Sequence, residues 1–114
     1  MTRAIAQTVL AIAALGLIAG CQGGSMKISK LLDDPGQYDQ KTVRVAGAVK
    51  ESMGVMGYGA YQIDDGSGSI VVLTKENGAP RQGAKVGVEG EFRSAFTYGD
   101  KTAAVILEKT RVSE

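Results

Sequence analysis

The sequence contains no histidine and only one cysteine, Cys21. Without histidine the commonest general base and one of the commonest zinc ligands are missing, so enzyme chemistry is poorly provided for. With a single thiol no intramolecular disulfide forms, and the domain must be held by its core alone. Aromatics are scarce: four Tyr, two Phe and no Trp. Neither sign of charge is in excess, with 13 basic against 12 acidic residues, which gives no broad electrostatic reason to seek a phosphate backbone. The one long apolar run, residues 4–17, falls short of the roughly 20 residues that span a bilayer core. A chain of 114 residues has room for one domain.

That apolar run has a position with meaning. Arg3 and the amino terminus put positive charge before it, and Ala19 and Gly20 close it with small residues, which is the layout of a secretory signal. Leu17-Ile18-Ala19-Gly20-Cys21 resembles the lipobox of bacterial lipoproteins, with Ile18 where that family more often has Leu. The resemblance implies a signal peptide over residues 1–20, removed before Cys21, and acyl chains such as palmitate carried by Cys21 through its sulfur and its new amino group. It also implies a lipidated tether over 21–26 and a domain over 27–114. Gln22 points, by the same resemblance, to the outer membrane facing the periplasm where the organism has one. Two or three acyl chains anchor a protein stably where one does not. Gln22, Gly23, Gly24 and Ser25 form a short flexible link, so the domain is expected close to the bilayer. Cleavage leaves 94 residues and takes only Arg3 from the charge count, which becomes 12 basic against 12 acidic.

Beyond the tether, Ile28, Leu31 and Leu32 recur at helical spacing before Pro35-Gly36, which predicts a short amphipathic helix over 26–33. From Thr42 the period changes to two, with Val43, Val45, Gly47 and Val49 on one side, and Gly47 suggests a bulge or sharp coil. Residues 52–59 hold three glycines and no charge and read as a loop. Tyr61 and Ile63 start a second strand, Asp64-Asp65-Gly66-Ser67-Gly68 is a dense turn signal, and residues 70–73 make the third strand. Asn77-Gly78, Pro80 and Gly83 mark residues 75–83 as a loop. Val86, Val88, Gly90 and Phe92 alternate with charged residues in a fourth strand. Residues 93–101 read as a polar and aromatic loop, and 102–112 as a last strand in which Val105-Ile106-Leu107 is too continuous to show which face is buried.

Three stretches, residues 41–49, 61–70 and 83–90, resemble the OB-fold domains of the nucleic-acid-binding and periplasmic "BOF" type. The expected fold is therefore mainly all-β, a five-stranded Greek-key OB-fold barrel with a short N-terminal helix. OB-folds often close one end of the barrel with a helix between strands three and four. Residues 75–83 are too short for that, and the helix near Leu31 and Leu32 is expected to cover that end instead.

Three constellations of residues bear on function. Asp64 and Asp65 with Ser67 offer oxygens to a hard cation, but the spacing is not that of an EF-hand and a hairpin turn explains the same residues, so neither metal nor cofactor is expected. Arg44, Tyr61, Phe92, Arg93, Phe96 and Tyr98 are of the types that stack bases and meet phosphates, although Tyr61 and Phe92 lie in phase with core valines and the charge balance opposes nucleic acid. The third set lies in the two loops through which OB-folds commonly bind: Met53, Val55, Met56 and Tyr58 in the first, Phe96 and Tyr98 in the second. Methionines among glycines make an adaptable apolar surface, unless these side chains fold back as core. The reading is a non-catalytic envelope module. It binds a protein partner or small ligand through Met53, Met56, Tyr58, Phe96, Tyr98 and Arg44, with an oligonucleotide- or oligosaccharide-binding module as the alternative.

Overall fold

The computed structural model describes residues 24–55, 58–75 and 78–113. The expected signal peptide, Cys21 and Met56 lie outside the described residues. The described chain is mostly strand: α1 (Ile28–Asp33), α2 (Pro35–Tyr38), β1 (Thr42–Val55), β2 (Tyr58–Asp64), β3 (Ser69–Thr74), β4 (Lys85–Tyr98) and β5 (Lys101–Ser113). The five strands close into a barrel in the order β1-β2-β3-β5-β4. All pairs are antiparallel except β3 with β5. Tyr61, Val72, Ile106 and Phe92 are successive cross-strand partners on β2, β3, β5 and β4, and all four are buried, so one row of side chains spans the interior. Val43, Val45, Val49, Ile63, Ile70, Val86 and Val88 fill the rest, as the alternation of apolar positions requires.

Among the described residues, both regions expected as binding loops are strand apart from the turn at Gly99-Asp100. Met53, Gly54 and Val55 pair with Ala60, Gly59 and Tyr58, and Phe96, Thr97 and Tyr98 pair with Ala103, Thr102 and Lys101. The β4–β5 turn is only Gly99-Asp100, with Gly99 in the left-handed region (φ 61) that such tight hairpins use. The irregularity in β1 falls between Val49 and Glu51, not at Gly47.

Helix α1 contributes Ile28 and Leu31 to the core, while Leu32 remains 39% exposed. Lys27 gives its N-terminus no side-chain cap. The β2–β3 turn supplies one: Asp65 Oδ2 accepts from the Ile28 N–H at 2.9 Å and Ser67 Oγ accepts from the Ser29 N–H at 3.1 Å. Thus α1 sits at the end of the barrel marked by that turn. The opposite end, beyond Thr74, is closed by the β3–β4 connection itself and not by a helix. Ala79 and Ala84 pack on the core, Gly83 N–H donates to Val49 O, Val49 N–H donates to Ala84 O (both 2.8 Å), and Ser52 Oγ donates to Pro80 O. Pro35 does not end helical structure. It starts α2, because the first helical position needs no N–H.

Within the turn, Asp64 accepts from Gly66 N–H (2.7 Å) and Ser69 Oγ (3.0 Å), and Asp65 Oδ1 accepts from Ser67 N–H (2.8 Å), Ser67 Oγ (2.6 Å) and Gly68 N–H (3.2 Å). Hydrogen bonds, chiefly from Gly66, hold the Asp64 carboxyl below its usual range. For Asp65 burial pushes upward, but the bonds from Ser67, Ile28 and Gly68 together outweigh it and the net shift is downward. Carboxyls depressed in the folded state stabilise it above their unfolded value, near 3.8, and that contribution is lost as pH falls through the folded values. Asp65→Asn is therefore expected to flatten the loss of stability below about pH 4. Asp65→Ala is expected to cost about 1 kcal/mol near neutral pH through loss of the cap. Urea unfolding across pH checks both, and an unchanged acid limb in the Asn variant would count against the assignment.

Candidate functional site

The strands β3 and β5 are apolar on both faces, and this builds a second surface outside the barrel. Because cross-strand partners point the same way, the register places Met53, Ala60, Leu73 and Leu107 in one row across β1, β2, β3 and β5. The adjacent row runs Glu51, Gln62, Val71, Val105 and Arg93. Phe96 and Ala103 extend the patch along the β4–β5 ribbon. Ala60, Leu73 and Val105 form its buried centre, with Val71, Phe96, Ala103 and Leu107 half-buried around them. Met53 stands at the margin, 51% exposed.

The rim is charged on the β4 side. Arg93 Cζ lies 5.7 Å from the centroid of the Phe96 ring and Arg93 Nη1 is 3.4 Å from Glu91 Oε2. Glu51 is the exposed end of the second row. The β4 irregularity between Arg93 and Phe96 is tied down by Asp39, whose Oδ1 accepts from Ser94 N–H at 2.7 Å. That bond is the main reason the Asp39 carboxyl is lowered from its usual value.

The residues expected from sequence are thus partly brought together. Met53 and Phe96 share this face, while Tyr58 and Tyr98 lie at the two hairpin ends, placed by their backbone. Arg44 does not join them. It sits outside the β1–β4 pair, more than half exposed, 3.6 Å from Glu89 Oε1. Tyr61 and Phe92 belong to the interior. The central members of the patch, Leu73, Val105, Val71 and Leu107, are not singled out by sequence. Their signal is the pair of continuous apolar runs 70–73 and 105–107, which mean two buried faces and not one.

A second feature that the sequence does not announce lies inside the barrel. Glu108 follows Ile106 on β5 and has a fully buried side chain. It accepts from Tyr61 Oη and from Thr74 Oγ1 (3.1 Å), and pairs with Arg111 Nη1 at 3.3 Å. No group of three or more metal-ligating side chains occurs among the described residues, and none of their helices is long and apolar enough to cross a membrane.

No protein-family model and no curated protein matches the chain. Solved structures do. The fold is similar to asparaginyl-tRNA synthetase from Pyrococcus horikoshii (TM-score 0.57, 21% identity), over 68% of this chain and 20% of the synthetase. The same enzyme complexed with asparaginyl-adenylate gives a TM-score of 0.58 at 22% identity, with the same coverage. OBody AM3L09, bound to hen egg-white lysozyme, gives 0.54 at 15% identity, over 68% of this chain and 84% of that one. The chain therefore spans about a fifth of the synthetase, and the likeness concerns fold. The protein has an OB-like fold.

Proposed function

We propose that this is a lipid-anchored envelope module, attached through acyl chains on Cys21, that acts by binding a protein partner on the outer face of β2, β3 and β5. The observation that carries the reading is the half-buried apolar margin of Val71, Phe96, Ala103 and Leu107, with exposed Met53, around the buried Leu73 and Val105 on the outside of a barrel that already has a filled interior. An apolar centre with a polar rim is how protein interfaces are built. The rim carries Glu51 and Glu91 against Arg93, which does not favour a polyanion. The OBody structure supports the choice, because a similar fold is there bound to a protein. The absence of histidine from the chain supports a non-catalytic role.

An oligonucleotide is the second reading. It is favoured by the Arg93–Phe96 pair, which is of the kind that stacks bases, and by the likeness to a tRNA synthetase.

Pull-down from gently solubilised envelope separates the two. Wild type is compared with a Met53→Glu/Phe96→Ser double variant, whose folding is verified by circular dichroism. A partner retained by the wild type and lost from the folded variant is expected. Equal recovery from both would remove the protein-interface reading. Single-stranded RNA binding that weakens steeply with salt would put the second reading in its place. Cys21→Ser is expected to move the protein out of the membrane fraction, and unchanged fractionation would count against the anchor.

A further inference from the structure

The segment before α1 is laid against the barrel wall. Met26 N–H donates to Arg44 O at 2.9 Å, which holds the backbone there on β1. Gly24 packs on the Arg44 side chain: a Cβ there would lie 3.3 Å from Arg44 Nη1. Gly24 and Ser25 line a shallow groove across β1, β4 and β5 with Ala46, Gly87, Glu89 and Val112. Ala46 and Gly87 are cross-strand partners, as are Gly87 and Val112, so small residues form the floor of the groove beside the segment.

We infer that the tether fixes which side of the domain meets the membrane: the outer face of the β1–β4 junction lies against the phospholipid headgroups, and the β2–β3 face points away. This rests on the lipidation of Cys21 proposed above. Gly24 is three chain steps from Cys21, with Gln22 and Gly23 between them, a reach of at most about 10–11 Å. In a closed ring of five strands β3 stands two strands from β1 in one direction and two from β4 in the other, so it is opposite their junction. Two walls with backbones about 10 Å apart, plus the side chains outside each, lie between the tether and the outer face of β3. The anchor therefore holds the groove side at the bilayer and leaves the apolar patch open to the aqueous compartment.

The chemistry of the groove side suits a headgroup layer. Arg44 and Lys85 project outward from positions alternating with buried valines, Lys109 Nζ reaches Thr42 Oγ1 at 3.2 Å on the same side, and Val112 is 66% exposed. Long cationic side chains lay their stems on apolar surface and give their heads to phosphate, and each contributes modestly near an anionic leaflet. The counter-charges there are Glu89, paired with Arg44, and Glu91, the cross-strand partner of Thr42.

The test uses the lipidated full-length mature protein in vesicles of phosphatidylethanolamine and phosphatidylglycerol. One fluorescent label is placed at Val112→Cys or at Gln62→Cys, the latter on the outer face of β2, with Cys21 blocked by its thioether. Lipids spin-labelled at the headgroup serve as quenchers. Quenching several-fold stronger at position 112 than at position 62 is expected. Equal quenching, or stronger quenching at 62, overturns the inference. A third sample lengthens the tether by about 20 Gly/Ser residues, a root-mean-square reach of about 25 Å, and is expected to erase the contrast. Contrast that survives the insertion means that the tether does not set orientation. Flotation and the intact mass separate the two readings. Protein that floats with acyl mass on Cys21 but shows equal quenching sinks the orientation alone. Protein that neither floats nor carries acyl mass sinks the anchor, and the orientation with it.

Discussion

Replacing Glu108 by Ala is expected to lower the unfolding free energy by about 3–5 kcal/mol, the range found when one partner of a buried ion pair is removed. Glu108 is in phase with Ile106, so its carboxylate points into the barrel, where its side chain has no solvent exposure and that of Arg111 only 15%. The carboxylate accepts from the hydroxyls of Tyr61 and Thr74, while Arg111 also donates to Gly78 O at 2.8 Å and stands 5.5 Å from the Tyr61 ring centroid. Glu108 and Arg111 thus tie β2, β3, β5 and the β3–β4 connection together. Truncating Glu108 removes the acceptor of two interior hydroxyls and a charge partner of Arg111 at once. Small domains have about 5–15 kcal/mol in all, so the variant should be marginal at 37 °C. Glu108→Gln keeps the volume and one acceptor oxygen and is expected to lose less. Urea unfolding decides the matter: a loss within about 0.5 kcal/mol of wild type, the level of an ordinary surface change, would mean that the carboxylate is not held as described.

The same cluster sets an alkaline limit. Burial first, and then the hydrogen bond to Glu108, push the Tyr61 phenol above its ordinary value of 10.0. A neutral acid whose folded value is raised adds stability that is complete below the unfolded value and lost as pH climbs from there toward the folded one. Stability should therefore fall as pH rises past about 10, and Tyr61→Phe should remove that limb while costing about 1 kcal/mol at neutral pH for the lost hydrogen bond.

Period-two patterns make most of the barrel legible. Val43, Val45 and Val49, and Val86, Val88 and Phe92, face the interior as their spacing requires. The two hairpins at 52–59 and 93–101 are not legible, for a physical reason. Local glycine content and mixed polarity argue against strands when each segment is taken alone, but Ser52 to Val55 pair with Tyr61 to Tyr58, and Phe96 to Tyr98 with Ala103 to Lys101, and each strand inherits the ladder from its partner. The site suffers from the same limit. Apolar residues at Val71, Leu73, Val105 and Leu107 look like core in a linear reading, and only the parallel register of β3 with β5 shows that they form an outer patch. Glu108 looks like the polar end of an apolar run, and its burial follows from Tyr61 and Thr74, 47 and 34 residues away. Arg44 groups with the aromatic residues on chemistry alone, and the ring order places it elsewhere.

Gly90→Ala and Gly47→Ala are expected to be the most damaging conservative changes in the barrel. At Gly90 an added methyl would come within 2.8 Å of both Ile106 Cγ2 and the carbonyl carbon of Leu107, at the β4–β5 register shift. At Gly47 it would meet the Asp64 carbonyl oxygen at 2.5 Å and its carbon at 2.8 Å, where the end of β2 comes up against β1. In both places the obstacle includes backbone, which cannot rotate aside as a flexible side chain does. Ordinary overpacking costs about 1–3 kcal/mol, and a clash against backbone belongs at the top of that range or above it. The coil of the barrel has to open to admit the methyl, and opening it at Gly90 separates the row in which Phe92 meets Ile106. Gly36, where an added methyl would meet nothing within 4 Å and the backbone is not left-handed, is the internal control and should tolerate Ala with little change. Thermal unfolding of the three variants tests the ranking. Gly90→Ala and Gly47→Ala melting with Gly36→Ala would mean that β1 and β4 do not approach their neighbours this closely. A loss confined to the first two would show that close backbone contact, made possible by two glycines, holds the ring closed.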